Sequence, residues 1–365
     1  MAPDTTIHQR PAEILQNLVR FDTTNPPGNE KACVDYVASL MDAYGIEYEI
    51  LGKDPNRTNL VARLPGAGKA SPLLLYGHVD VVTTENQDWA HDPFGAETID
   101  GYIWGRGTLD MKSGVAMMIA AMLTLKADGI IPPGDVILAV VSDEEAGGVY
   151  GAKFLVEEHP HLFKGVKYAF GEFGGFNLKV AGKKFYPIQI AEKQICSLEI
   201  TFTGPGGHGS MIHRDGAMAK LGETLTLLNK SLLPPHVTPS AELMYGGMAK
   251  HLAFPLNLIV GLMLNPAFTN LILRILGSQG TLFSPMLRNT LNATIVQGGH
   301  KINVIPGEIK LRCDGRMLPG FMPDAFVKEV QELIGPEHKI EVTSYDPGPA
   351  EPKMGLFDTL AGVMK

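Results

Sequence analysis

Residues 73–80 read Leu73-Leu-Leu-Tyr-Gly-His78-Val-Asp80, and residues 136–145 read Val136-Ile-Leu-Ala-Val-Val-Ser-Asp-Glu144-Glu145. Each is a short apolar run that ends abruptly in ionisable residues. Apolar runs at 59–64, 73–79, 135–141 and 166–170 alternate with helical patterns at 113–127 and 151–158. That rhythm predicts βαβ units, and hence a mostly parallel central sheet covered on both faces. The pattern at 113–127 is apolar almost all round, which predicts a buried helix. A further helical stretch over 10–45 is broken at Thr24-Asn-Pro-Pro-Gly28.

Working outward, 365 residues suit two domains. Hydrophobic residues at 45% and charged residues at 19% describe a folded chain rather than a disordered one. A net charge of −8 leaves no basic surplus for a nucleic-acid backbone. Cys33, Cys196 and Cys313 are too few and too scattered for a disulfide scaffold or zinc-type pairs. They fit a reducing, cytoplasmic location, and the N-terminus does not read as a secretory signal. The greasiest stretch, 253–276, is interrupted by Pro255, Asn257, Asn265, Pro266, Asn270 and Arg274. Two short packed helices are expected there rather than a membrane span.

The style changes after about residue 190. A strand at 197–203 alternates apolar and polar residues, and a helix is expected at 216–229. Strands at 291–297 and 307–313, a helix at 323–334 and a strand at 339–344 follow. Two helices on one antiparallel sheet make a smaller α+β unit. The expected division is 1–190 for the first domain and 191–348 for the second, with 349–365 after it.

The chemistry gathers at the strand ends of the first domain. His78 and Asp80 follow one strand, Asp143, Glu144 and Glu145 another, and Glu172 a third, while Asp110 precedes a helix. In an open α/β sheet the carboxyl ends of the strands share one edge, where ligands bind. Taken singly, each residue has an ordinary explanation, such as a helix cap or a solvated acidic loop. Together, several acids at one edge would repel one another without a cation. The mixture of N and O donors suits Zn²⁺, or Mn²⁺ or Co²⁺.

The segments LLLYGHVDVV (73–82), WAHDPFGA (89–96), GYIWGRGTLDMKSG (101–114) and SDEEAGG (142–148) resemble the M20 family of metallopeptidases and amidohydrolases. TGPGGHGS (203–210), KINVIPGE (301–308) and CDGRMLPG (313–320) continue the likeness through the second domain. The resemblance implies a zinc-peptidase-like catalytic domain carrying a ferredoxin-like lid and dimerisation domain, and thus a homodimer. It makes 191–348 an inserted domain and 349–365 a return segment. It implies two zinc ions per subunit. His78 and Glu172 would bind one ion, Glu145 the other, and Asp110 both. Asp80 would orient the His78 ring, and Glu144 would be the general base. His208 would stabilise the oxyanion in the partner subunit's site, and Asn303 would contact substrate. The implied reaction is hydrolysis of an amide in an N-acyl amino acid or small peptide. Its substrate carboxylate would be gripped by an arginine, with Arg288 and Arg316 as candidates.

The same resemblance implies a late histidine ligand. His213, His236, His251, His300 and His338 all fall within the second domain, none in a matching context. The expectation is therefore a piece of a longer enzyme, with a weakly held second ion and little activity of its own. The alternative is a non-catalytic metal-binding or dimerising protein. A two-metal phosphatase is disfavoured, since Gly105-Arg-Gly107 lacks the spacing of a phosphate-cradling loop. No membrane role is attached to the apolar insert.

Overall fold

A computed structural model describes residues 6–172 and 176–364. The chain forms two compact units, 1–173 and 174–365.

The first unit is built on a five-stranded mixed sheet. Its strands are β1 (Glu47–Asp54), β2 (Arg57–Leu64), β3 (Leu73–His78), β4 (Val136–Val141) and β5 (Tyr168–Phe170), in the order β1-β2-β4-β3-β5. β3 runs parallel to both β4 and β5, which is the βαβ portion expected from the sequence. β1 and β2 form an antiparallel hairpin, and β2 pairs antiparallel with β4. β4 is apolar and buried at every position, so its two faces feed two cores. Val136, Leu138 and Val140 pack with Leu60, Ala62 and helices α1 (Pro11–Val19), α2 (Lys31–Tyr44) and α3 (Lys112–Ala127). Ile137, Ala139 and Val141 pack on the opposite face with Phe154 and Leu155 of α4 (Ala152–Glu158). Each fully buried aliphatic side chain contributes about 1.5–3 kcal/mol. α3 is less enclosed than its sequence predicts: Met117 is 62% exposed. Its first residue, Lys112, is fully buried and donates from Nζ to the Phe21 carbonyl at 2.9 Å.

The second unit holds a four-stranded antiparallel sheet of β6 (Gln194–Thr203), β8 (Thr290–Gln297), β10 (Glu308–Met317) and β11 (Lys339–Asp346), ordered β8-β10-β6-β11. Between these strands a short β7 (Gly207–His208) pairs with β9 (Val304–Ile305). Alternate residues of β6 and β10, including Leu198, Ile200, Phe202, Leu311 and Cys313, face a core completed by Leu221 of α5 (Ala217–Lys230) and by Phe326 and Val330 of α9 (Pro323–Ile334). The insert forms α6 (Pro239–His251), α7 (Leu256–Leu262) and α8 (Pro266–Ile275), with its own core around Tyr245 and Met263. α7 and α8 are the two short helices expected of the apolar stretch. Among the described residues no helix is long and apolar enough to cross a membrane. All three cysteines are buried free thiols.

Candidate metal centre

His78 is the last residue of β3, and its side chain is fully buried. Parallel pairing with β4, which places His78 opposite Val141, fixes the backbone there, so the ring direction is set by the sheet. Nδ1 lies 3.0 Å from the Asp80 carbonyl and 3.3 Å from Asp80 Oδ1. With Nδ1–H donating to Asp80, the neutral ring presents Nε2 as its lone-pair nitrogen. Three carboxylates surround that atom: Asp110 Oδ1 at 3.1 Å, Glu172 Oε2 at 3.7 Å and Glu144 Oε2 at 3.8 Å.

Asp80 is the hub beneath the ring and is fully buried. Its Oδ1 accepts the Glu144 backbone N–H at 3.0 Å, and its Oδ2 accepts the Glu145 N–H at 3.1 Å. Asn25 Nδ2 donates to Oδ2 at 2.8 Å. Burial works to raise this carboxyl's pKa. The hydrogen bonds from His78, Asn25 and Glu144 outweigh it and hold Asp80 below the usual carboxylate range. Burial likewise opposes a charged His78 ring. The Asp80, Glu144 and Asp110 carboxylates outweigh that penalty, and the ring pKa rises to about 9.

The acids on the open side are crowded. Glu172 is pushed up to about 7, first by burial and then by the Asp110 charge. Glu145 is raised for the same two reasons in the same order. Like charges held this close favour a shared proton or a cation. One ligand atom from each of His78, Asp110 and Glu172 lies within 4.8 Å of the others, the one such grouping of three among the described residues. An imidazole nitrogen with two carboxylates fits zinc, and equally manganese or cobalt. The donor set therefore suits a divalent ion. Glu145 stands beside this grouping, linked through its N–H to Asp80 and electrostatically to Asp110.

The other expected site residues fall in the second unit. His208 and Asn303 are brought together: β7 pairs with β9, and the Gly209 N–H donates to the Asn303 carbonyl at 2.9 Å. His208 Nδ1 meets Ser210 Oγ at 2.8 Å. Arg288 is placed differently from its expected substrate-gripping role. Its side chain is 2% exposed, and the guanidinium donates to Ser284 Oγ, the Leu233 carbonyl and Asn270 Oδ1 at 2.9, 2.6 and 2.8 Å. It is an internal strut tying the helical insert to the chain around it. Arg316 makes a paired contact with Asp314, at 2.9 and 3.2 Å. Two of the later histidines also have local partners: His236 with Glu329 at 2.6 Å and His338 with Glu337 at 3.3 Å.

Sequence reasoning passed over Asn25, Arg57 and Glu30, which are buried beside Asp80 and Asp143. The available signal was Thr24-Asn-Pro-Pro-Gly28, a rigid turn carrying one amide side chain.

A family model described as peptidase family M20/M25/M40 matches residues 74–363. A probable succinyl-diaminopimelate desuccinylase of Staphylococcus aureus is 30% identical over 325 residues, covering 88% of this chain and 71% of that protein. A probable carboxypeptidase S-like protein of Dictyostelium discoideum is 29% identical over 280 residues, covering 72% of this chain; the chain spans about half of that protein, 51%. In fold, an M20 family metallo-carboxypeptidase from Sulfolobus solfataricus superposes with a TM-score of 0.62 at 16% identity, covering 93% of this chain and 79% of that one.

Proposed function

The chain belongs to peptidase family M20/M25/M40, and from that premise we propose that it hydrolyses the amide bond of an N-acyl amino acid or small peptide, with Glu144 as general base. The observation that carries this reading is the convergence of His78, Asp110 and Glu172 on one another, with Glu144 beside the same ring nitrogen. His78, Asp110 and Glu172 would hold one zinc ion, and Asp110 with Glu145 would contribute to a second. Bound divalent ions would acidify the attacking water and stabilise the negative charge that develops on the scissile carbonyl.

This chain's own groups do the rest. Asp80 locks the His78 ring and, through two backbone N–H groups, fixes the turn that carries Glu144 and Glu145. The Glu144 carboxylate, half-exposed at 40%, takes a proton from water and returns it to the departing nitrogen. Its neighbour Glu145 can serve as a ligand because adjacent residues in a tight 3₁₀ turn (Glu144–Ala146) point apart. We carry His208 and Asn303 forward as substrate contacts, supported by their closeness in the second unit, where His208 pairs with Val304 and the Gly209 N–H donates to the Asn303 carbonyl. Self-association is supported by β8, an edge strand on which Ile295 and Val296 are exposed.

The names of the desuccinylase and the carboxypeptidase S-like relative support an acylated amino acid or a peptide as substrate. The test is turnover of a panel of N-acyl amino acids and dipeptides by zinc-supplied protein, with Glu144→Gln as control. Hydrolysis abolished by that change is the expected result. Turnover of no amide, or turnover untouched by Glu144→Gln, would overturn the proposal. One observation favours a second reading, a metal-binding protein without turnover: only one grouping of three ligands occurs among the described residues. Tight metal binding with no hydrolysis would support it.

A further inference from the structure

We infer that Asn25 and Arg57 are positioning residues that hold the turn carrying Glu144 and Glu145 in its working conformation. The inference deepens the proposed function, and its kinetic arm rests on Glu144 being the base. Its structural arm does not.

The turn at 142–148 needs an external brace. Asp143 sits at φ +67, a left-handed conformation that costs a non-glycine residue energy and persists only where surroundings impose it. Backbone bonding within the turn is local: Gly147 N–H donates to the Glu144 carbonyl, and Gly148 N–H to the Asp143 carbonyl. At its entry Ser142 donates its N–H and hydroxyl to Asn59 Oδ1, at 2.9 and 3.2 Å. Beyond Ser142 the restraints come through two buried carboxylates. Asp80 takes the Glu144 and Glu145 N–H groups. Asp143 takes the Tyr150 N–H on Oδ2 at 3.0 Å.

One amide joins those carboxylates. Asn25 Nδ2 donates to Asp80 Oδ2 at 2.8 Å and to Asp143 Oδ1 at 3.2 Å. Both protons of the NH₂ group are thereby used to hold two like charges together. Arg57 supplies the compensating positive charge. Its Nη2 lies 3.0 Å from Asp143 Oδ1 and 2.8 Å from Glu30 Oε1, and its guanidinium stacks 4.9 Å from the Tyr150 ring centroid. Glu30 and Asp143 are almost completely buried, so without Arg57 they would be uncompensated charges. The Thr24–Gly28 turn serves both devices. It carries Asn25, and at Gly28 a Cβ would come within 2.3 Å of the Arg57 Nε, so glycine is what admits the guanidinium.

The experiment compares wild type, Asn25→Ala, Arg57→Lys and the core variant Val37→Ala by hydrogen exchange and by steady-state kinetics. Arg57→Lys keeps the charge and loses the planar fork that spans two carboxylates. In metal-free protein, Asn25→Ala should speed exchange across 142–148 by about tenfold or more, with β4 unchanged, because only a local opening is eased. Val37→Ala should not single out that segment. With zinc, kcat for Asn25→Ala should fall by about 10–100-fold with KM within about threefold, the size of effect typical of groups that orient a metal site from behind. If Asn25→Ala does not fold, Arg57→Lys carries the same expectation at 142–148. Unchanged exchange at 142–148, exchange raised equally through β4, or an unchanged kcat would overturn the inference. If the wild type turns over no amide, the function reading fails and the exchange result still decides this one.

Discussion

Zinc affinity should fall steeply with acidity, with a slope set by two groups. In the metal-free protein the His78 ring carries its proton up to about pH 9, because the surrounding carboxylates outweigh burial. A cation must displace that proton before Nε2 can serve as a ligand. From pH ~9 to ~7 this competition lowers the apparent affinity by about tenfold per pH unit, or ~100-fold over the interval. Below about 7 the Glu172 carboxyl also takes up a proton, since burial and Asp110 raise it that far. A second competing proton steepens the slope toward about 100-fold per pH unit. Asp80→Asn removes the ring's principal charge partner, so the His78 pKa should drop toward its ordinary value and the upper part of the curve should flatten. The assay is competition against a chromophoric chelator of known pH behaviour, from pH ~6 to ~9. An apparent affinity constant within about twofold across that range would refute the reasoning.

Two further outcomes follow from the same structure. In a chelator, His78 and Glu172 both bind protons more tightly folded than unfolded, so each contributes less stability as pH rises: Glu172 between 4.5 and about 7, His78 between 6.5 and about 9. For the buried His78, about 1.4 kcal/mol per pH unit gives a loss on the order of 3 kcal/mol, read as the narrowing gap in urea-unfolding free energy between wild type and His78→Asn. A gap that widens with pH would contradict the assigned direction. Arg288→Met should destabilise the second unit by about 2–4 kcal/mol, because three acceptors lose a buried charged donor. KM should stay within about twofold of wild type, and a large rise in KM without loss of melting temperature would restore Arg288 as a substrate contact.

The sequence exposed those elements whose burial was written into composition. β4 could be located because Val136–Val141 is uniformly apolar, and β3 because its apolar run stops at Gly77-His78. β1 escaped notice because Glu47–Asp54 is charged and mostly exposed, giving no clean alternation. α6 escaped because Gly246 and Gly247 interrupt its pattern and only Ala241, Tyr245 and Met248 are buried. Its start is instead marked by Thr238, whose Oγ1 accepts the Ala241 N–H. At the site, His78, Asp110, Glu144, Glu145 and Glu172 were recognisable because they end strands or flank helices of one sheet. Asn25 and Arg57 were not, because a lone polar residue does not disclose that it will be buried against two carboxylates. Arg288 shows the same limit in reverse: an arginine that could have met a substrate is consumed by the interior.

The most direct measurement is anomalous diffraction from crystals of zinc-loaded protein. A zinc peak bounded by His78 Nε2 and carboxylate oxygens of Asp110 and Glu172, at about 2.0–2.2 Å from each, is the expected result. Loaded crystals with no peak there, or with zinc held by other residues while His78 stays paired only with its neighbouring acids, would contradict it.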